Sequence, residues 1–283
     1  MFGLGKKTNQ LPDLDSHLEA NLANSTIYVQ DVSKVYHSAK GDVLAMENIN
    51  INILKNEFVS IVGPSGCGKS TLLRMIGGLD EVSSGKIIIH DQNIIGPGVD
   101  RGMVFQSYTL FPWMTVEENI RFGLKIKKMP SEEQEIVVDK YLEIIKLEKF
   151  RKSYPKELSG GMKQRVAIAR ALANSPEVIL MDEPFGALDP QTKGDMQELM
   201  REIWQVEKPT IVFVTHDIDE AVFLSGKVYV LTEQPGRIKE EIPILLPYDR
   251  DLSIKDTEEF ILLRKKVNSL IRHMNGLTDP YHY

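Results

Sequence analysis

Leu158-Ser159-Gly160-Gly161-Met162-Lys163-Gln164-Arg165 decides how this chain is read, because of the two segments it separates. Upstream stands Gly63-Pro64-Ser65-Gly66-Cys67-Gly68-Lys69-Ser70, directly after the apolar run Phe58-Val59-Ser60-Ile61-Val62. Downstream stands Val178-Ile179-Leu180-Met181-Asp182-Glu183, an apolar strand ending in two carboxylates. The upstream turn matches G-x-x-x-x-G-K-[ST] at every fixed position, with a buried strand before it and helical spacing after it. Glycines let such a turn point successive N–H groups at phosphate oxygens, and the following helix adds positive partial charge. Lys69 is placed to reach the β- and γ-phosphates of a nucleotide, Ser70 to ligate Mg²⁺, and Thr71 to bond a neighbouring phosphate. Cys67 reads as a small residue filling the turn; a reactive thiol is the second reading, since a helix N-terminus favours thiolate.

Asp182 and Glu183 belong at the C-terminal edge of a parallel sheet, where α/β folds place ligands. There Asp182 would hold Mg²⁺ through water, and Glu183 would polarise a water attacking the γ-phosphate. In the opening stretch, Ser159 offers a hydroxyl, and Gly160 and Gly161 expose N–H groups at a helix start, making a second anion site. Thr192-Lys193-Gly194-Asp195 imitates a guanine-reading motif, but it follows Asp189-Pro190 at a helix start instead of a buried strand. It is rejected, and ATP is expected over GTP.

Strand patterns begin at Ile27, and Ile49-Asn50-Ile51-Asn52-Ile53 alternates as a half-exposed strand does. Further strands are expected at Lys86–His90, Gly102–Phe105 and residues 178–182, 211–215 and 227–231, with a helix over Lys69–Ile76. Between Glu117 and Ala173 the pattern turns helical, which predicts a helical insertion over about residues 107–165. Asp256-Thr257-Glu258-Glu259 offers an N-cap at Asp256 with a Glu three residues on. Phe260, Leu263, Val267, Leu270 and Met274 then recur at helical spacing. Residues 1–25 are polar and aperiodic, so a mobile tail is expected there. The fold class is thus α/β: a P-loop NTPase core with an antiparallel β subdomain and an inserted helical subdomain. The ATP-binding domain is assigned to residues 26–242 and a short extension to 243–283.

The net charge of −6 over 283 residues gives no reason to expect nucleic-acid binding. No run approaches the roughly 20 apolar residues of a membrane span. The first residues lack a secretory apolar stretch, and Asn24-Ser25-Thr26 reads as a chance glycosylation match. A single cysteine excludes an internal disulfide and fits the cytosol.

The order of loop, Leu-Ser-Gly-Gly and acidic strand resembles the ATP-binding cassette (ABC) family, over about residues 27–240. That resemblance implies a dimer closing on two ATP, each held between the loop of one subunit and Ser159, Gly160 and Gly161 of the other. It implies that His216, in Thr215-His216-Asp217, contacts the γ-phosphate as a switch histidine. It further implies that Gln106 touches Mg²⁺ and the attacking water, and that Tyr36 stacks on adenine. Gly186-Ala187-Leu188-Asp189 resembles the turn that crosses the dimer interface, with Gly where Ser is usual.

Gly96-Pro97-Gly98-Val99-Asp100-Arg101-Gly102-Met103-Val104-Phe105-Gln106 is similar to the nitrate, sulfonate and taurine branch of ABC importers, as is Pro235-Gly236-Arg237-Ile238. The branch implies a peripheral ATPase on the cytoplasmic face of the cell membrane, as a homodimer or heterodimer. Its partners would be two permease subunits and an extracytoplasmic solute-binding protein. Tyr108, Leu110, Phe111, Pro112 and Trp113 would line the groove receiving a permease helix. The alternatives are a soluble ABC assembly factor and the ATPase of another transporter class.

Overall fold

The structure is a computed structural model that describes residues 25–39 and 41–274. The expected N-terminal tail lies outside the described residues apart from Ser25, which begins a strand. Two sheets form the frame. A four-stranded antiparallel sheet joins β1 (Ser25–Tyr36), β2 (Val43–Leu54), β4 (Ser84–Ile89) and β5 (Gln92–Asn93) in the order β2-β1-β4-β5. In β2, Ile49, Ile51 and Ile53 are buried while Asn50 is exposed, as the alternation predicts.

The second sheet runs β10-β9-β3-β8-β7-β6. Its members are β3 (Phe58–Val62), β6 (Arg101–Val104), β7 (Val178–Asp182), β8 (Thr210–Val214), β9 (Lys227–Leu231) and β10 (Ile238–Pro243). The five strands from β9 to β6 are parallel, and β10 closes one edge antiparallel. Parallel strands covered on both faces need apolar residues at every position. β3 and β8 satisfy this, with all five residues of each buried. Period-2 alternation divides these side chains between two cores. Val59, Ile61, Val212, Val214, Val178 and Leu180 face the antiparallel sheet and α1 (Lys69–Ile76). Phe58, Ile211, Phe213, Ile179 and Met181 face the opposite helical layer. Each fully buried side chain of this size contributes about 1.5–3 kcal/mol.

Between β6 and β7 the chain forms α2 (Val116–Ile126), α3 (Ser131–Ile144) and α4 (Gly160–Leu172). α2 opens on a capping box: Glu118 N donates to Thr115 Oγ1 at 3.3 Å, and Thr115 N donates to Glu118 Oε2 at 2.7 Å. α5 (Pro190–Glu207) and α6 (Ile218–Leu224) follow β7 and β8. Beyond β10 the chain returns along the helical face into α7 (Glu258–Met274), which buries Phe260 and Val267 in the same core. The cap of α7 differs from expectation. Asp256 ends a 3₁₀ turn, and Thr257 Oγ1 accepts from Phe260 N at 3.4 Å. Extended backbone at Thr257, which Asp256 in its helical turn lacks, is what an N-cap needs. Strand Lys86–His90 likewise ends at Ile89, because His90 adopts a left-handed conformation (φ 47°).

Candidate functional site

Four neighbouring parallel strands end on one edge, and each delivers part of the site. β3 runs into the glycine loop, β8 into His216, β7 into Asp182 and Glu183, and β6 toward Gln106. Register aligns them: Ile61 of β3 and Asp182 of β7 both pair with Val214 of β8.

In the loop, Gly66 (φ 78°) and Gly68 (φ 99°) take left-handed conformations. A Cβ at Gly68 would also lie 2.8 Å from Met46 Cγ. Lys69 is buried at the base of α1, its Nζ donating to the Gly63 and Pro64 carbonyls at 2.9 Å each. Cys67 is 1% exposed, its thiol pushed up by burial against the opposing pull of Lys69. The small-residue reading is the one this burial favours.

Ser70 Oγ donates to Asp182 Oδ1 at 2.8 Å, joining residues 112 positions apart. Burial raises the Asp182 carboxyl above its ordinary value, and neighbouring Glu183 adds to this; Ser70 and Lys69 oppose it. A hydroxyl and a carboxylate side by side are hard oxygen donors, fitting Mg²⁺, which takes one or two such ligands along with substrate phosphates. Glu183 holds the left-handed conformation (φ 44°), uncommon for a non-glycine residue and often found at functional sites. Its Oε2 lies 2.9 Å from His216 Nδ1. A carboxylate only accepts, so Nδ1 carries the proton in this bond. Gln106 approaches from the next strand: a Cβ at Gly186 would lie 3.3 Å from Gln106 Nε2 and 3.7 Å from Glu183 Oε2. Gly186 is thus the floor over which the amide and the carboxylate converge. Tyr36, 42% exposed, reaches α1 through its hydroxyl, 3.3 Å from Thr71 Oγ1, while Lys34 lies over its ring at 5.0 Å.

The residues of the opening stretch stand elsewhere. Ser159 Oγ caps α4 by accepting from Met162 N at 3.3 Å. A Cβ at Gly160 would meet Tyr108 Oη at 2.8 Å and Leu188 Cδ2 at 3.8 Å, and one at Gly161 would meet Thr192 Cγ2 at 2.4 Å. None of these neighbours comes from residues 63–71. The structure brings together Lys69, Ser70, Asp182, Glu183, His216 and Gln106, whereas the contacts of Ser159, Gly160 and Gly161 are with Met162, Tyr108, Leu188 and Thr192.

The aromatic segment after Gln106 is held by two residues that the motif reading passed over. Asn119 is fully buried; its Oδ1 accepts from Phe111 N, and its Nδ2 faces the carbonyls of Phe111, Met114 and Thr115 at 3.0–3.2 Å. Arg170 donates to Thr109 O at 2.8 Å and lies over the Phe111 ring at 5.3 Å. The Phe111 ring lies tilted against Phe122, with centroids 4.4 Å apart, and Trp113 beside it is 69% exposed. The one readable signal here was the Thr115-x-x-Glu118 cap, which places Asn119 at the fourth position of a helix. Among the described residues no helix is long and apolar enough to cross a membrane.

The sequence profile of the ABC transporter family matches residues 46–186. An uncharacterized ABC transporter ATP-binding protein of Methanocaldococcus jannaschii is 49% identical over 86% of this chain and 90% of its own. The nitrate import ATP-binding protein NrtD of Synechocystis is 50% identical over 86% of this chain and 94% of its own. The aliphatic sulfonates import ATP-binding protein SsuB of Bacillus cereus is 48% identical over the same shares. Among solved structures, the dimeric post-hydrolysis state of the ATP-binding cassette MJ0796 bound to ADP and Pi aligns with a TM-score of 0.69 at 36% identity. It covers 78% of this chain and 100% of that one. CbiO1 from Clostridium perfringens, part of the ABC transporter complex CbiONQ, aligns with a TM-score of 0.72 at 28% identity, over 89% and 98%.

Proposed function

The chain belongs to the ABC transporter family as an ATP-hydrolysing import cassette, and we propose that it drives uptake of a small oxoanion or sulfonate. The nitrate and sulfonate import relatives support that solute class. The cassette dimerises and works with permease subunits; that these are two, served by an extracytoplasmic solute-binding protein at the cytoplasmic face of the membrane, is part of the proposal. Residues 26–242 form its ATP-binding domain, about 107–165 its helical subdomain, and 243–283 its C-terminal extension.

The observation that carries the mechanism is that Ser159, Gly160 and Gly161 meet Met162, Tyr108, Leu188 and Thr192, not the loop of their own chain. A second chain turned to face the first would bring them over its nucleotide. In each site the N–H groups of Gly63–Ser70 hold the phosphates, with Tyr36 stacking on adenine and Thr71 adding a hydroxyl. Lys69 turns from the Gly63 and Pro64 carbonyls toward the β- and γ-phosphates. Ser70 and Asp182, with Gln106, would hold Mg²⁺, which when bound neutralises phosphate charge. Glu183 accepts hydrogen from the attacking water, while His216, oriented by its Nδ1–H bond to Glu183, holds the γ-phosphate through Nε2–H, both ring nitrogens donating as in the imidazolium. Phe111 and Trp113 present a rigid aromatic patch for a permease helix.

Light scattering on Glu183→Gln protein tests this reading. ATP is expected to shift it from monomer to dimer, and Ser159→Arg to abolish the shift. Protein that binds ATP yet stays monomeric would sink the homodimer and point to a heterodimer or to permease-dependent closure.

A further inference from the structure

Thr192-Lys193-Gly194-Asp195, rejected as a nucleotide motif, forms the first turns of α5. Lys193 Nζ lies 3.2 Å from Asp217 Oδ2 and 3.3 Å from Glu220 Oε1. These carboxylates belong to a network of hydrogen bonds and ion pairs that joins Thr215 and Asp217, the chain neighbours of His216. Asp217 Oδ1 accepts from the N–H groups of Asp219 and Glu220 at 2.9 and 3.2 Å. Thr215 Oγ1 donates to Glu220 Oε2 at 2.6 Å and accepts from Asp217 N at 3.0 Å. Both chain neighbours of His216 are therefore locked into one network, and Glu220, 2% exposed, is its buried anion. Two turns further along α5, Arg201 donates to Leu224 O at 3.1 Å, at the other end of α6. α5 thus grips α6 at both ends.

The residue beside Lys193 faces another way. Thr192 N is capped by Asp189, and its methyl group lies against Gly161. Consecutive residues of one helical turn touch the Leu-Ser-Gly-Gly stretch and the loop of His216.

We propose that Lys193 is a positioning residue that ties the His216 loop to α5 and so holds the switch histidine against Glu183. The proposal rests on the reading of His216 given above. Removing the ammonium also strands a buried carboxylate, which is destabilising by itself. The test must separate these two consequences.

ATP turnover and melting temperature are measured for the full chain as Lys193→Met, Lys193→Arg and the double variant Lys193→Met/Glu220→Gln. The Glu220→Gln change keeps a side-chain oxygen for Thr215 without the buried charge. Lys193→Met is expected to lose about 10-fold to 100-fold in kcat, as small misplacements of reacting groups do, with KM for ATP changed less than about twofold. Lys193→Arg should recover most of the turnover. The double variant should recover its melting temperature while staying slow. A double variant whose kcat returns with its stability, or a Lys193→Met protein with unchanged kcat, overturns the proposal. A His216→Ala control with full turnover would remove the reading of the histidine, and the proposal with it.

Discussion

His216 Nδ1 and Glu183 Oε2 meet at 2.9 Å across the ends of two adjacent parallel strands, with Glu183 held at a positive φ of 44°. The histidine thereby fixes where the carboxylate points, and the carboxylate fixes which ring nitrogen carries a proton. Neither residue can be altered without changing what the other presents to a nucleotide.

Glu183→Gln and His216→Ala should each lower kcat by about 100-fold to 10,000-fold, the range for losing a positioned base or its orienting partner. ATP affinity, measured by equilibrium binding, should change far less, because the loop and Lys69 remain. The double variant should be little slower than the worse single one, since the pair acts as a unit. Additive losses would mean that the two residues work separately.

Gly236 should prove intolerant of a methyl group. Its N–H donates to Ala45 O at 2.9 Å, and an added Cβ would lie 2.1 Å from the carbonyl oxygen of Cys67, inside the phosphate loop. Backbone on both sides leaves no flexible side chain to give way. Gly236→Ala is expected to cost about 1–3 kcal/mol of stability and to raise KM for ATP. Chemical denaturation and ATPase titration check the two effects. An unchanged KM would mean that the loop absorbs the shift elsewhere.

Cys67 should resist alkylation in the folded protein, with or without ATP. Its burial and raised thiol value both disfavour the thiolate. Mass spectrometry after iodoacetamide treatment should find modification only once denaturant is added. Rapid labelling that ATP slows would restore the reactive reading.

Acid should loosen the helical region through Glu117. Burial pushes this carboxyl up, but bonds from Lys152 and Arg151 outweigh it and hold it below the ordinary range. Arg151 Nε lies 2.6 Å from Glu117 Oε2. A carboxyl depressed in the folded state adds stability above its unfolded value, lost as pH falls through the folded one. Glu117→Gln should therefore be less stable at pH 7, by about 1.5–3 kcal/mol. The gap should shrink below about pH 4. Melting curves across that range decide it; a constant gap would place the loss in packing.

What could be read from the chain was local. The G-x-x-x-x-G-K-S turn, the apolar run before Asp182 and the Ile49–Ile53 alternation each declare themselves within a few residues. Strand burial and turn geometry depend on immediate neighbours, so these elements appear where the pattern puts them. Helix ends were less legible. Asp256 and Thr257 are both suitable caps, and only the 3₁₀ turn preceding α7 decides between them.

The sequence by itself determined the inventory: a phosphate loop, two carboxylates on a strand, a histidine after another, and a second glycine stretch that resembles an ABC signature. Tertiary structure decided which of these meet. Parallel pairing of β3, β8 and β7 sets Ser70 against Asp182 and Glu183 against His216, while among the helices between β6 and β7 Ser159 caps α4. It also made partners of Lys193 and Asp217, and of Gly236 and Cys67. Such pairings depend on sheet order and helix packing, which no window of neighbouring residues contains, so the motifs name candidate site residues but not the residues that hold them in place.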